Sequence, residues 1–352
     1  MISNKILLIL SLIFSFSIYA QKEKITISTL LKNYNGKHPG ISYAIIKNGK
    51  VLDKNNLGFA NIEKSKKTKS NTNYRLASVT KQFTALSILM LIEKNTLSFS
   101  TVLTDIFDDF PEYGKNITIQ QLLSHTSGLL DYENLMIEDR MIPILDHEVL
   151  LLMKQQDSTK FTPGSQYDYS NSAYAVLSQI IEKSSGKSFK EFIETEIFKP
   201  LKMKNSAVYT KYSKIKHRAF GYTIKNDSII LSDQSMTSSV QGDGGIYTSI
   251  DDYIKWNQAL ENNKLISSEL QNKAYTIQSK NPKSDWDYGY GWRIKFDGET
   301  KLISHSGHTS GFTNYVIKIP EKKLTVIVLT NRYGDDSAIE VGNFLLHLNN
   351  RK

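Results

Sequence analysis

The sequence predicts an α/β protein of the α+β type, an antiparallel sheet flanked by helices with an all-helical region inserted into it. Strand patterns lie towards both ends of the chain, at residues 41–53 and 291–330, and helical patterns fill most of the stretch between them. The gaps between the late strands are of turn length, which suits antiparallel neighbours and is too short for parallel crossovers. Strands at both ends with helices between them make one sheet out of the two ends of the chain.

Taken in order, the chain opens on a targeting pattern. Lys5 precedes the apolar run from Ile6 to Phe14, and the stretch from Ser15 ends on the small residue Ala20. A positive charge, a short apolar segment and a small residue match a secretory signal peptide over residues 1–20, cut after Ala20. Ile6 to Ala20 is 15 residues, short of the ~20 that cross a bilayer. Nothing later reads as a membrane span. The mature chain from Gln21 is therefore expected to be exported, periplasmic or secreted, with no stable span left after cleavage.

Ile41–Lys47, the pair Asn48-Gly49 and Lys50–Asp53 read as a hairpin, because Asn-Gly accepts the positive φ angles of a two-residue turn. Gly58-Phe59-Ala60 is expected to continue the second strand. Ala77 to Lys94 reads as one long helix, apolar nearly all round through Phe83, Ala85, Leu86 and Ile88–Ile92, and so centrally buried. Pro111 and Gly114 break the pattern, and shorter helices follow between Thr118 and about Met203. One, over Asn171–Lys183, carries Ala173, Val176, Leu177, Ile180 and Ile181. The next opens on Ser188 and Glu191, spaced as a capping box. Ser249 with Asp251-Asp252 starts a helix running to about Glu261. Strand patterns return at 291–296, 301–304, 312–319 and 324–330, and Asp336 caps a last helix through Leu348.

Composition narrows the function. Of 352 residues, 40% are hydrophobic and 22% charged, which excludes a disordered, collagen-like or polytopic membrane protein. There is no cysteine, so disulfides, thiolate zinc sites and a thiol nucleophile are excluded. Lys and Arg number 44 against 35 Asp and Glu, a surplus of +9. Such a surplus permits attraction to acidic surfaces or polymers but does not point to nucleic acid. It is spread along the chain, and its densest run, Lys64–Lys69, reads as a solvated loop rather than a phosphate-binding patch.

The chemistry centres on Ser78-Val79-Thr80-Lys81. Residues three apart share a helix face, so the Ser78 hydroxyl and the Lys81 amine can meet. A serine hydroxyl becomes a nucleophile when a base accepts its proton, and a desolvated lysine can do so. A helix N-terminus adds N–H groups where an oxyanion would form. The spacing itself recurs at Ser184–Lys187 and Ser213–Lys216; only Ser78 opens a hydrophobic helix. An ordinary N-cap serine is the bland alternative. Tyr169-Ser170-Asn171 offers a phenol for proton transfer and an amide to orient it, against the plainer reading of an aromatic packed under a helix start. His305-Ser306-Gly307-His308 lies between two predicted strands, and Gly307 lets backbone approach a ligand closely. The His305/His308 spacing lacks the helical H-E-x-x-H context and a nearby carboxylate, so no metal site is expected.

Read together and in order, these elements resemble the serine β-lactamase and penicillin-binding-protein superfamily. The nearest branch holds class C β-lactamases, D-aminopeptidases and β-lactamase-like esterases. The resemblance runs from about Gly40 to Asn331 through Arg75–Thr84, Gln121–Gly128, Tyr169-Ser170-Asn171, Gly244–Ser249 and the His305 segment. It implies a β-lactamase/transpeptidase-like fold, with an α/β lobe from about 21–95 and 240–352, a helical lobe from about 96–239, and the site in the cleft.

The resemblance also assigns roles. Ser78 becomes the nucleophile, Lys81 its partner in activation and Tyr169 the general acid/base. Asn171, His305, Ser306, Gly307 and His308 become substrate or oxyanion contacts, the oxyanion hole being the N–H groups of Ser78 and His308. It implies acylation of serine by an ester, amide or lactam followed by hydrolysis, with no metal or organic cofactor. The substrate would be a small molecule or peptide, cell-wall peptides among them. One departure stands out: His305-Ser306-Gly307 occupies the place of a Lys-Thr-Gly triplet. Histidine is mostly neutral near pH 7. The expected function is therefore an exported esterase, amidase or D-amino-acid peptidase. A true β-lactamase or D,D-carboxypeptidase and a catalytically inactive module that binds cell-wall fragments are the alternatives. By the same reasoning, His305→Lys is expected to favour anionic substrates.

Overall fold

The computed structural model describes residues 26–211 and 213–350. The predicted signal segment, residues 1–20, lies outside them. Seven strands form the central sheet: β1 Ile41–Lys47, β2 Lys50–Leu57, β3 Asp287–Tyr288, β4 Arg293–Asp297, β5 Thr300–Thr309, β6 Phe312–Ile319 and β7 Leu324–Thr330. Their order is β3-β4-β5-β6-β7-β1-β2, and every neighbouring pair is antiparallel. The two ends of the chain meet where β1 lies against β7, with Ile41 opposite Thr330 and Lys47 opposite Leu324.

The β1–β2 turn forms as its residues predict, Asn48 and Gly49 both at positive φ (53° and 72°). β2 is an edge strand and nearly all exposed; its Lys50, Asp53 and Lys54 suit that place. β6 and β7 are buried along their whole length because both faces of the sheet are covered. On one face Tyr43, Ile45, Tyr315, Val326 and Val328 pack against helix Ser337–Asn350 through Val341, Leu345 and Leu346. On the other, Ala44, Ile46, Val316, Ile327 and Leu329 join the main core, which also takes in Phe83, Ile88 and Trp256.

The helices that matter for the site are α1 Lys81–Glu93, α2 Asp146–Lys154, α3 Asn171–Ser185 and α4 Ile250–Glu261. All residues of α1 from Lys81 to Leu91 are buried, matching its apolar circumference. Phe83 stacks on Trp256 of α4 with ring centroids 4.0 Å apart. α3 is capped by Ser170, whose Oγ accepts from the Ala173 N–H at 3.0 Å, and stops at Gly186.

Three sequence expectations change. The single helix over Ala77–Lys94 is a 3₁₀ turn, Ala77–Thr80, followed by α1. The second hairpin strand stops at Leu57; the chain turns at Gly58, and Phe59–Asn61 pairs instead with Lys66-Lys67. The strand expected at 301–304 runs on to Thr309, so the His305 segment is strand and not a loop between strands. Neighbouring β6 supplies partners as far as Thr309↔Phe312, which is why pairing continues.

Candidate active site

Strand β5 builds the turn that carries Ser78. Gly307 leaves no room for a side chain: a Cβ there would lie 2.1 Å from the Leu76 carbonyl oxygen and 3.2 Å from the Ser78 nitrogen. Backbone thus presses on backbone, and Ala77 takes a left-handed φ of 50°, a conformation that costs about 1 kcal/mol outside glycine. Ser78 follows it, half-buried on the wall of a small cavity. Its hydroxyl caps neither the turn nor α1. It accepts instead from Lys81 Nζ at 3.3 Å.

Lys81 is fully buried, and its amine faces two further acceptors. Asn171 Oδ1 lies 2.8 Å away and the Asp243 main-chain oxygen 3.1 Å away. Asn171 comes from the first turn of α3, and its Nδ2 donates to Glu133 Oε1 at 3.3 Å, which orients the amide. The Asp243 carbonyl is delivered by a loop anchored on Asp146. That carboxylate accepts from the Gln241 and Gly242 N–H groups at 2.7 and 2.9 Å and from Ser178 Oγ at 2.9 Å. Burial pushes the Asp146 carboxyl up to about 6 and that of Asp243 up to about 7. Tyr132 donates its hydroxyl to Asp243 Oδ2 at 3.2 Å.

Tyr169 lies over the same amine, its ring centroid 5.0 Å from Lys81 Nζ, and Tyr174 is 5.4 Å away. The Tyr169 hydroxyl is buried and has no hydrogen-bond partner among the described residues. Its ring is held by His125, with centroids 4.3 Å apart. His125 Nδ1 accepts from the Ser170 N–H at 3.0 Å, tying Gln121–Gly128 to Tyr169-Ser170-Asn171. Desolvation drives the His125 imidazole well below its ordinary pKa, so it is neutral.

The His305 segment divides. Positions 305 and 308 point to opposite faces of a strand; His305 is fully buried, and His308 is exposed on the Ser78 cavity. The two imidazoles therefore cannot share a metal, and among the described residues no cluster of three His, Cys, Asp or Glu side chains could hold one. His305 Nδ1 donates to the Ser306 carbonyl at 2.7 Å, so its Nε2 accepts from the Tyr288 hydroxyl at 3.0 Å. Burial, with the charges of Arg293 and Lys81, holds its pKa well below the ordinary value. His305 is thus a neutral buried wedge, and His305→Lys would bury an ammonium beside two cations rather than offer one to a substrate.

Arg293 supplies the charge that His305 lacks. It projects from β4, and its Nη1 donates to Ser306 Oγ at 3.0 Å; its guanidinium carbon is 5.6 Å from the Tyr169 ring centroid. With Tyr169, Lys283 and Trp286 it borders an opening of about 360 Å³. Ser78, Asn171, Asp243, Gly244, His308 and Thr309 border a narrower one of about 70 Å³. Sequence reasoning passed over Arg293, Asp243 and Glu133. An arginine inside a strand pattern looks like any surface arginine, and Asp243 contributes a main-chain oxygen that carries no residue signature. The Gln121–Gly128 stretch was a visible signal, but its histidine acts through packing.

The arrangement can transfer an acyl group: a half-buried hydroxyl on a cavity wall, an amine hydrogen-bonded to it, a phenol ring over that amine and a cation on the neighbouring opening. The chain matches the beta-lactamase family over residues 26–348. It is 31% identical to penicillin-binding protein 4* of Bacillus subtilis (strain 168), covering 90% of this chain and 73% of that one. It is 28% identical to protein flp of Staphylococcus aureus (strain NCTC 8325 / PS 47) over 84% of this chain, spanning 60% of that protein's length. Among solved structures it matches the octameric penicillin-binding protein homologue from Pyrococcus abyssi (TM-score 0.78, 29% identity, 97% of this chain and 78% of that chain). In fold it also matches D-amino acid amidase from Ochrobactrum anthropi SV3 (TM-score 0.78, 22% identity, 93% of this chain and 98% of that chain). By its sequence and its fold, this chain belongs to the beta-lactamase family of serine hydrolases.

Proposed function

We propose that the protein hydrolyses esters, amides or D-amino-acid peptides through an acyl-enzyme on Ser78. Ser78 Oγ attacks the substrate carbonyl, and its proton passes to the phenolate oxygen of Tyr169, beside the Lys81 ammonium. The N–H groups of Ser78 and His308 accept the charge that develops on the carbonyl oxygen. The proton then goes to the departing amine or alkoxide, and water releases the acyl group by the reverse relay.

The observation that carries this reading is the arrangement around Lys81. Asn171 Oδ1 and the Asp243 carbonyl can only accept, so two N–H bonds of the amine are committed to them and the third points at Ser78. Lys81 is thereby held as a donor that polarises the Ser78 oxygen. That leaves Tyr169, reacting as its phenolate, as the group that takes the proton from Ser78 and passes it to the leaving group.

Arg293 narrows the substrate. A guanidinium at Ser306 favours a carboxylate on the substrate, which peptides ending in a free D-amino acid and β-lactams both carry. This revives the carboxypeptidase and β-lactamase readings that the neutral His305 had disfavoured. The test is a panel of p-nitrophenyl esters, D-amino-acid amides, peptides with a free D-terminal carboxylate and a chromogenic cephalosporin, with Ser78→Ala as control. Turnover of the carboxylate-bearing amides above the neutral ones supports the reading. Folded protein that takes no adduct on Ser78 from a fluorophosphonate or a β-lactam favours the inactive binding module.

Export through residues 1–20 belongs to the same proposal. Mature exported protein beginning at Gln21 supports it; an intact Met1 in the cytoplasmic fraction overturns it.

A further inference from the structure

The basic surplus that looks thin along the sequence is concentrated in space. Lys64–Lys69 and the stretch from Ser213 to Phe220 are distant in sequence, yet the fold lays them side by side. The Asn73 N–H donates to the His217 carbonyl at 2.9 Å, the Ala219 N–H to the Asn73 carbonyl at 2.8 Å, and the Phe220 N–H to the Ala60 carbonyl at 2.8 Å. Asn73 Nδ2 adds a bond to the Lys216 carbonyl at 2.7 Å. Between the two segments runs a groove of about 710 Å³ whose walls carry Lys64, Lys66, Lys67, Lys69, Lys214 and Arg218.

The five lysines of this groove have no carboxylate partner among the described residues. Acids close by are otherwise engaged: Asp233 pairs with Arg218 at 2.5 Å, Asp251 with Lys54 at 2.6 Å, and Glu63 accepts from the Tyr222 hydroxyl at 2.5 Å. Five like charges facing one concavity repel one another, and the repulsion is relieved by an anion rather than by anything the fold supplies. Ile215 and Phe220 add apolar surface to the lining, with the Arg218 guanidinium 5.0 Å from the Phe220 ring centroid.

We propose that this groove binds a linear polyanion, a phosphate- or carboxylate-bearing polymer. Lysines are mobile point charges, so they read charge along a chain and not the fork geometry of one fixed anion. A groove with charge on both walls takes a chain, whereas a flat bilayer reaches only its rim. The groove also adjoins the cleft. Arg218 Nη2 and Gln234 Nε2 both donate to the Tyr247 hydroxyl (3.2 and 3.3 Å), and Arg75 Nη1, on the Ser78 cavity, donates to Gln234 Oε1 at 3.3 Å. A bound polymer is thus held beside the catalytic opening. Its effect on turnover rests on the proposed activity; its binding does not.

The test measures binding of fluorescent long-chain polyphosphate and of poly-glutamate to the purified protein by anisotropy, without turnover. Affinity is expected to fall with salt at a log–log slope of roughly −3 to −4, as four or five released counterions require. Lys66→Glu/Lys67→Glu/Lys214→Glu is expected to lose about 30-fold or more in affinity, and the distant pair Lys322→Glu/Lys323→Glu less than about threefold. Both variants should keep the parent's circular dichroism spectrum and thermal midpoint, which shows that they fold. Undiminished polymer binding by the triple variant overturns the proposal. So does binding to phosphatidylglycerol vesicles with none to either polymer, which would assign the patch to a membrane surface.

Discussion

Arg293 Nη1 and Ser306 Oγ lie 3.0 Å apart across neighbouring strands, which places a permanent cation next to the neutral His305. A charge that could meet a carboxylate is thus offered by β4 and not by the strand bearing Ser306-Gly307-His308. Arg293→Gln is expected to lower kcat/KM for carboxylate-bearing substrates by about 10–100-fold, the worth of a charge-assisted hydrogen bond. Neutral esters should stay within about threefold of the parent. Parallel kinetics on a matched acid and methyl ester check the ratio.

Tyr169→Phe separates chemistry from stability. The hydroxyl has no partner among the described residues, so its removal breaks no hydrogen bond and leaves the thermal midpoint within a degree or two. Loss of a positioned proton carrier should slow acylation by about 10²–10⁴-fold. Stopped-flow acylation and calorimetry on the same preparation read both quantities. A large fall in midpoint would mean that the hydroxyl makes a stabilising hydrogen bond.

Lys81→Arg should not rescue Lys81→Met. A planar guanidinium cannot aim three donors at Ser78 Oγ, Asn171 Oδ1 and the Asp243 carbonyl at once. Both variants are expected to lose about 10³-fold or more in acylation rate. Mass spectrometry after timed exposure to a fluorophosphonate gives the rates.

Gly307→Ala puts a methyl group against the Leu76 carbonyl, a backbone atom that cannot swing aside. The expected cost is about 1–3 kcal/mol of stability, with slower acylation because the displaced turn carries Ser78. Urea unfolding together with probe labelling tests it.

Lys318 makes stability depend on pH in a predictable direction. It is buried, with its amine 5.4 and 5.5 Å from the Tyr275 and Trp292 ring centroids, and desolvation lowers its pKa from 10.5 to about 8. A folded pKa below the unfolded one means that the unfolded chain holds more protons between pH 8 and 10.5. The contribution of this group therefore rises with pH through that window and is unfavourable below it. Lys318→Met is expected to stabilise the protein at pH 7 by up to about 3 kcal/mol, and by less at pH 10. Chemical unfolding at both pH values reads the difference.

Much of this molecule is legible in its sequence because regular patterns have regular consequences. The alternation and turn spacing of 291–330 gave antiparallel neighbours, the Asn48-Gly49 pair gave its turn, and the all-round apolarity of Lys81–Leu91 gave a buried helix. What escaped are features set by contacts between distant segments. Ala77 leaves the helix because Gly307 presses on it from β5, a pressure that no local pattern records. His305 reads as a cleft residue but is swallowed by the pairing that extends β5, and Arg293 becomes visible only across the strand boundary. The Lys64–Lys69 run is solvated as expected, but the groove it forms with Ser213–Phe220 could not be read, because that segment lies far along the chain.

The pairing of β1 with β7 sets the order in which this protein can be made. The first hairpin must wait for Leu324–Thr330 to emerge before its inner edge finds a mate, so the sheet cannot close on a growing chain. Contacts so distant in sequence also make closure slow once synthesis ends.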